Sequence, residues 1–228
     1  LSWVSDRKLL GGTYSAAVAV PYVLDGEISG ELTAPGFAAF RKGDISGLAD
    51  IFLLPFQLQW TLGSHNLNLS PGIAAPTGSY DVDKVLNVGR NYWAFDLAGS
   101  YTWLDPARGH ELSVSTGLLF NGKNEDTDYH EGDEFHIDWL LGQHFSESFA
   151  LGLTGYWLHQ ISDDTGTLPA GFDAGDLDSS GHGLGPALLW GTRIGGKGVS
   201  FIAKWLHDLD AENRAEGDLF MLSIGMKL

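Results

Sequence analysis

Three groups of residues in this 228-residue chain have side chains that could do chemistry. His110 stands near Ser113 and Ser115, as an imidazole would beside a serine nucleophile. Activation needs both groups on one face, and offsets of three and five along an extended strand put them on opposite faces. His136, Asp138 and His144 are metal-ligand types. Eight residues of strand separate the two histidines by about 26 Å, so they cannot share one ion. The run Asn124 to Glu134 is strongly acidic and could attract a divalent cation, but it lacks the glycine spacing and terminal glutamate of an EF-hand loop. It reads as a solvated loop. No glycine-rich phosphate loop is present. The sequence therefore predicts no catalytic residue, no cofactor-binding residue, no metal site and no enzyme.

The elements that carry these residues are strands. From Leu219 to Leu228, Phe220, Leu222, Ile224, Met226 and Leu228 alternate with Met221, Ser223, Gly225 and Lys227, a period of two. The same alternation recurs in Leu48, Phe52, Leu54, Phe56, Leu58 and Trp60, in Trp93, Phe95, Leu97, Tyr101 and Trp103, and in Phe135, Ile137, Trp139 and Leu141. It predicts strands over 12–24, 46–61, 64–76, 90–104, 110–120, 131–144, 148–160, 179–194, 198–209 and 216–228, with 1–6 ending an earlier one. Short turns at Gly63-Ser64, Asp105 to Gly109, Ser146 to Ser148 and Gly195 to Lys197 alternate with long connections at 25–45, 77–89, 121–130 and 161–178. Short periplasmic turns and long extracellular loops follow this rule in outer-membrane barrels. The fold class expected is all-β, one transmembrane antiparallel β-barrel of about 12 strands over residues 1–228.

Composition agrees. Charged residues make up 18% and aromatic residues 12%, and no run of some 18 apolar residues exists to form a membrane helix. With 13 basic against 29 acidic residues the net charge is -16, which excludes nucleic acid as a partner. There is no cysteine to form a disulfide. The opening Leu1-Ser2-Trp3-Val4 carries no signal peptide and suggests a processed or incomplete start. A soluble sandwich or lipocalin-like barrel would also alternate, but its wet face would be rich in Lys and Glu. Here that face holds Ala94, Ala98, Ser100, Thr102, Ser113, Ser115 and Gly117. Seven of the eight tryptophans fall in the apolar phase, several near strand ends where an aromatic girdle belongs.

The inward phase is unusually apolar. Ile51, Leu53, Leu119, Leu140, Leu158, Leu189, Ile202 and Leu206 fall on it, with Tyr92 and Tyr156. Either they fill a narrow barrel as a core, or they line a path for apolar molecules; both hold if packing is incomplete. The inward charges are Asp96, Glu111, Glu134, Asp138, Lys204 and Asp208, joined by His136 and His144, and read as hydrogen-bonded lumen groups. Pro21, Pro55, Pro71 and Pro186 fall within strand patterns, although proline cannot donate to a ladder. A hairpin centred near residue 62 or 63 sets Pro55 almost opposite Pro71. That predicts either a kink or a lateral opening in the wall.

Leu9 to Tyr14 leading to Pro21-Tyr22, Gly47 to Asp50 leading to Pro55, Ala75 to Tyr80, Gly89 to Trp93, Asn121 to Asn124 followed by Thr127-Asp128-Tyr129 and Gly132-Asp133-Glu134, Gly183 to Pro186, and Asn213-Arg214 form a set of motifs. Together they resemble the outer-membrane channel family named for a MetA pathway of phenol degradation. The chain departs from the family in lacking its tyrosine-rich first strand and in carrying Ala49 where a glycine is usual. The resemblance implies a channel of roughly 12 strands for hydrophobic, often aromatic, compounds. It places a wall gate near Asp50, Pro55 and Pro71, and gives Asn91, Asn121, Asn124 and Asp128 the shaping of the extracellular loops.

The function expected is passive uptake of small hydrophobic molecules through a narrow lumen, without cofactor, in the bacterial outer membrane. A narrow porin for hydrophilic solutes and a structural or adhesive barrel are the alternatives. The expected partners are the solute, outer-membrane lipid and lipopolysaccharide, and the barrel assembly machinery, which reads the C-terminal strand; the chain is expected to act as a monomer.

Overall fold

The computed structural model describes residues 1–34, 37–84, 87–166, 178–214 and 216–226, with residues 25, 27–34 and 37–44 described by backbone alone. Lys227 and Leu228, the end of the closing strand, lie outside the described residues. None of the described residues is helical.

In chain order the strands are β1 (Ser2–Leu9), β2 (Gly12–Ala19), β3 (Tyr22–Ala34), β4 (Phe37–Leu48), β5 (Ile51–Leu62), β6 (His65–Leu69), β7 (Gly72–Ala75), β8 (Ala94–Asp105), β9 (His110–Asn121), β10 (Lys123–Asn124), β11 (Tyr129–His130), β12 (Glu134–Ser146), β13 (Phe149–Gln160), β14 (Thr165–Gly166), β15 (Ser180–Ile194), β16 (Lys197–Glu212) and β17 (Asp218–Met226). One antiparallel sheet runs β1-β2-β5-β6-β8-β9-β12-β13-β15-β16-β17, with β7 continuing the lane of β6 between β5 and β8. β10, β11 and β14 form a small sheet of their own, and among the described residues β3 pairs only with β4.

The two faces of the large sheet follow from its register, because directly opposed residues share a face. Phe95 opposes Phe120 and Leu97 opposes Leu118. Phe135, Ile137, Trp139 and Leu141 continue this row into β13, and Trp190-Phe201 and Trp205-Phe220 carry it to the last strand. This apolar face is uncovered. Phe220 is 73% exposed, Leu222 67% and Ile224 63%, more apolar surface than water tolerates on one sheet.

Aromatic rings on that face form two belts. Phe95 with Phe120, Phe135 with Trp157 and Trp205 with Phe220 pack ring on ring near the long-loop end. Phe145 with Phe149, Trp190 with Phe201 and His65 with Tyr101 do so near the short-turn end. Leu97, Val114, Ile137, Leu153 and Leu188 lie between them. An aliphatic band between two aromatic girdles is the pattern of a sheet that spans a bilayer.

The structure corrects several expectations. Residues 25–45 form most of the β3-β4 hairpin rather than an unpaired loop. The strand expected over 46–61 is two strands, β4 ending at Leu48 and β5 starting at Ile51. Pro21 and Pro71 sit in breaks between strands, while Pro55 and Pro186 lie within β5 and β15. The largest correction concerns phase. Leu58 opposes Leu69, but Leu53 opposes Ile73, so β5 spends five residues where its neighbour spends four. Toward β2 the shift lies between Ser15-Gln57 and Ala17-Leu54. This extra residue is a β-bulge at Pro55-Phe56, and a bulge reverses alternation beyond it. Ile51 and Leu53, expected inward, therefore share the apolar face with Ile73 and Phe95, while Phe52 and Leu54 take the polar one.

Candidate functional site

The polar face is held together by side chains that bridge strands. Asp96 on β8 accepts from His136 Nε2 on β12 at 3.1 Å, and Asp138 lies 3.7 Å from the other nitrogen of the same ring. Glu111 on β9 has both oxygens engaged, Oε2 by His144 Nε2 at 2.5 Å and Oε1 by the Ser113 hydroxyl at 2.6 Å. The Tyr156 hydroxyl donates to Asp208, so this ring starts on β13, crosses β15 and ends on β16. Gly183 lies beneath it, where an added Cβ would come within 2.8 Å of Tyr156 Cε1. Of the residues expected on this face, Leu119, Leu140, Tyr156, Leu158, Leu189, Ile202 and Leu206 lie in its rows with Asp96, Glu111, His136, Asp138, Lys204 and Asp208.

Toward the short turns this face opens into a pocket of about 230 Å³. Leu140, Leu189 and Ile202 supply its apolar walls, Gly142, Ala150, Gly152 and Ala187 leave its volume empty, and Glu111, His144 and Lys204 are its charged or titratable groups. Two residue pairs further along β15 and β16, Gly191 and Ser200 belong to a wider opening of about 660 Å³ at the short-turn rim.

Toward the long loops the described residues are polar and bonded to one another. Tyr92, expected in the lumen, precedes β8 and is 7% exposed, with its hydroxyl donating to Glu131. Burial, then the charge of Glu131, pushes that phenol far above its ordinary range. Burial opposes the charge of Arg90, but Tyr92, Glu131 and Glu134 outweigh it and raise its pKa. Burial and a bond to Asp164 raise Tyr129 likewise. Asn91, in the left-handed region at φ 63°, donates to Asn124 at 3.1 Å and to Asp126 at 2.9 Å. Asn124 in turn donates to the Tyr80 hydroxyl, and Asn121 donates to Gly132 O. Asp128, at φ 56°, pairs with Lys123. These four residues thus sit where a loop cap is built.

Asp50, expected at a wall gate, belongs to the same cap. Its Oδ1 accepts from the amides of Thr77 and Gly78 at 3.0 and 2.8 Å, and its Oδ2 from that of Arg90 at 2.8 Å. Gly78 and Gly89 meet face to face beside it, where a Cβ on either would lie 2.7 Å from the other's backbone. The spacing of Gly47 to Asp50, Pro76 to Gly78 and Gly89-Arg90 in the sequence signals this clasp. The ladder is interrupted beside the prolines: residues 54–57 of β5 make no ladder pair with Ser70 or Pro71.

The family model described as "Putative MetA-pathway of phenol degradation" matches residues 1–224. The chain belongs to this family. No curated protein matches it. Among solved structures, this member of the phenol-degradation family resembles the COG4313 outer membrane channel from Pseudomonas putida F1, with a TM-score of 0.74 and 16% identity over 99% of this chain and 81% of that one. The family member thus has the fold of an outer-membrane channel, a transmembrane antiparallel β-barrel, and the polar face is its lumen side.

Proposed function

We propose that the chain is an outer-membrane channel for passive uptake of small hydrophobic, chiefly aromatic, molecules. The observation that carries this reading is the lumenal pocket, where Leu140, Leu189 and Ile202 stand with small residues in place of the polar side chains that line a hydrophilic pore. The solved channel that shares the fold supports it, as does the family's phenol-degradation name. Binding and release here involve no covalent chemistry. A solute leaves the lumen sideways, through the gap between β5 and Ser70-Pro71 where two prolines withhold ladder donors.

Uptake of a labelled single-ring aromatic by cells with an intact lipopolysaccharide leaflet tests the channel reading. Expression should raise uptake, while sugar-driven swelling of liposomes holding the protein stays slow. Fast sugar entry without aromatic uptake would favour a hydrophilic porin instead. The lateral exit is tested by Gln57→Cys with Ser70→Cys, the positions one step beyond the last ladder pair, Leu58 with Leu69, at the edge of the gap. Oxidation should abolish aromatic uptake and reduction restore it; unchanged uptake in the oxidised channel would rule out this exit.

A further inference from the structure

Lys204 is the one lumenal group in the 230 Å³ pocket whose donors are unspent. Among the described residues none gives it a hydrogen bond or an ion pair. Its ladder neighbours are Ala187 on β15 and Met221 on β17, neither of which can pair with a cation. The only carboxylate in the pocket lining, Glu111, is already held by His144 and Ser113. Asp208, four residues along the same strand, accepts from Tyr156 and from Gly217 N. An ammonium with free donors beside Leu140, Leu189 and Ile202 is an amphipathic arrangement, apolar on its walls and cationic at one point.

Resting on the channel reading, we propose that this pocket is a selectivity site for single-ring aromatic carboxylates, with Lys204 taking the carboxylate and the leucine-isoleucine wall taking the ring. The volume fits. A cavity of about 150 Å³ accepts benzene, so 230 Å³ accommodates a ring with one small polar substituent. The chemistry fits as well. A carboxylate replaces water on the ammonium with a charge-assisted bond, whereas a neutral ring leaves those donors to solvent. A larger or more polar anion would have to desolvate against Leu140 and Leu189 with no donor to meet it.

Calorimetric titration of the purified full chain in detergent, with benzoate and with benzyl alcohol as its neutral counterpart, tests the assignment. The intact channel should bind benzoate more tightly than the alcohol. Lys204→Met, which keeps the apolar stem, should weaken benzoate about tenfold or more and leave benzyl alcohol unchanged. Lys204→Arg should stay within about threefold of the parent, which separates loss of charge from loss of folding. Equal binding of the two ligands by the parent, or an unaltered benzoate affinity in Lys204→Met, would overturn the proposal. Uptake of neutral toluene by cells separates the two readings: it is unaffected by Lys204→Met if the channel reading holds. If the parent itself fails to raise toluene uptake, the channel reading falls, whatever the titration shows.

Discussion

Replacing Asp50 by alanine should release the long connection between β7 and β8 from the wall while leaving the barrel intact. The carboxylate accepts three backbone amides, those of Thr77, Gly78 and Arg90. Bonds to a charged acceptor contribute roughly 1.5–3 kcal/mol each. Asp50 is half-buried, so water replaces part of what is lost and the three do not add. A combined loss of about 3 kcal/mol in the local opening free energy is expected, equivalent to about 150-fold faster amide exchange. Hydrogen exchange read by mass spectrometry should show this over residues 76–90, with β9 and β12 unaffected. Asp50→Asn sharpens the test. Its one oxygen can still serve Thr77 and Gly78, but its amide group turns a donor toward Arg90 N. Protection should then fall at Arg90 and persist at Gly78. Unchanged exchange at all three amides in Asp50→Ala would refute the clasp, as would uniform loss in Asp50→Asn.

Other perturbations test other parts of the structure. Leu222, 67% exposed on the apolar face, should cost about 2–4 kcal/mol when changed to arginine if it lies near the bilayer midplane, measured by refolding into lipid vesicles. No loss there would mean that the face meets water. In the cap, Tyr92 and Tyr129 hold their protons more tightly folded than unfolded. Cap stability is therefore full below a pH of about 10, where free tyrosine ionises, and declines above it. Ultraviolet titration should show two late phenols that disappear in Tyr92→Phe and Tyr129→Phe; their titration near the ordinary range would contradict the burial of both rings. Phe52 lies on the lumen side, its ring 2.3 Å from where a Cβ on Gly72 would stand. Phe52→Ala should enlarge the lumen beside the β5 gap and raise single-channel conductance in planar bilayers. Equal conductance would mean that the ring does not obstruct the pore.

The regular strands were legible in the sequence because each alternates without interruption and each neighbour repeats the pattern. β8, β9, β12 and β13 pair residue for residue, and Leu119, Leu140 and Tyr156 fall on the expected face. β5 was not legible, although its residues alternate just as well. Alternation fixes which residues share a face only while the ladder is regular, and the bulge at Pro55-Phe56 is defined by partners on β2 and β7, not by β5 itself. The proline announced an irregularity without stating its consequence. The cap was hidden for a different reason. Asn91, Asn124, Asp126 and Tyr80 form bonded pairs up to 44 residues apart, which meet only after the barrel brings their loops together. Lys204 was visible as an inward charge expected to be hydrogen-bonded in the lumen. That no carboxylate reaches it depends on His144 and Ser113 having taken Glu111.

The placement of these features around the wall bears on how a solute would move. β5, with the ladder gap, is third in the sheet order and β15, which lines the pocket, is ninth. The pocket and the interrupted ladder thus lie six lanes apart in the sheet. On the pocket side Tyr156 lies across β15 on Gly183 to reach Asp208 and ties three strands together. At β5 the wall has a bulge, two prolines and an interrupted ladder. Toward the long loops buried polar groups, Gln160 at 3% exposure and Asp164 at 6% among them, cannot part without losing their partners. On the lateral route proposed above, a ring released from the pocket leaves where the wall yields most easily. Stiffening β5, rather than enlarging the pocket, is then the change that stops flux while leaving binding intact.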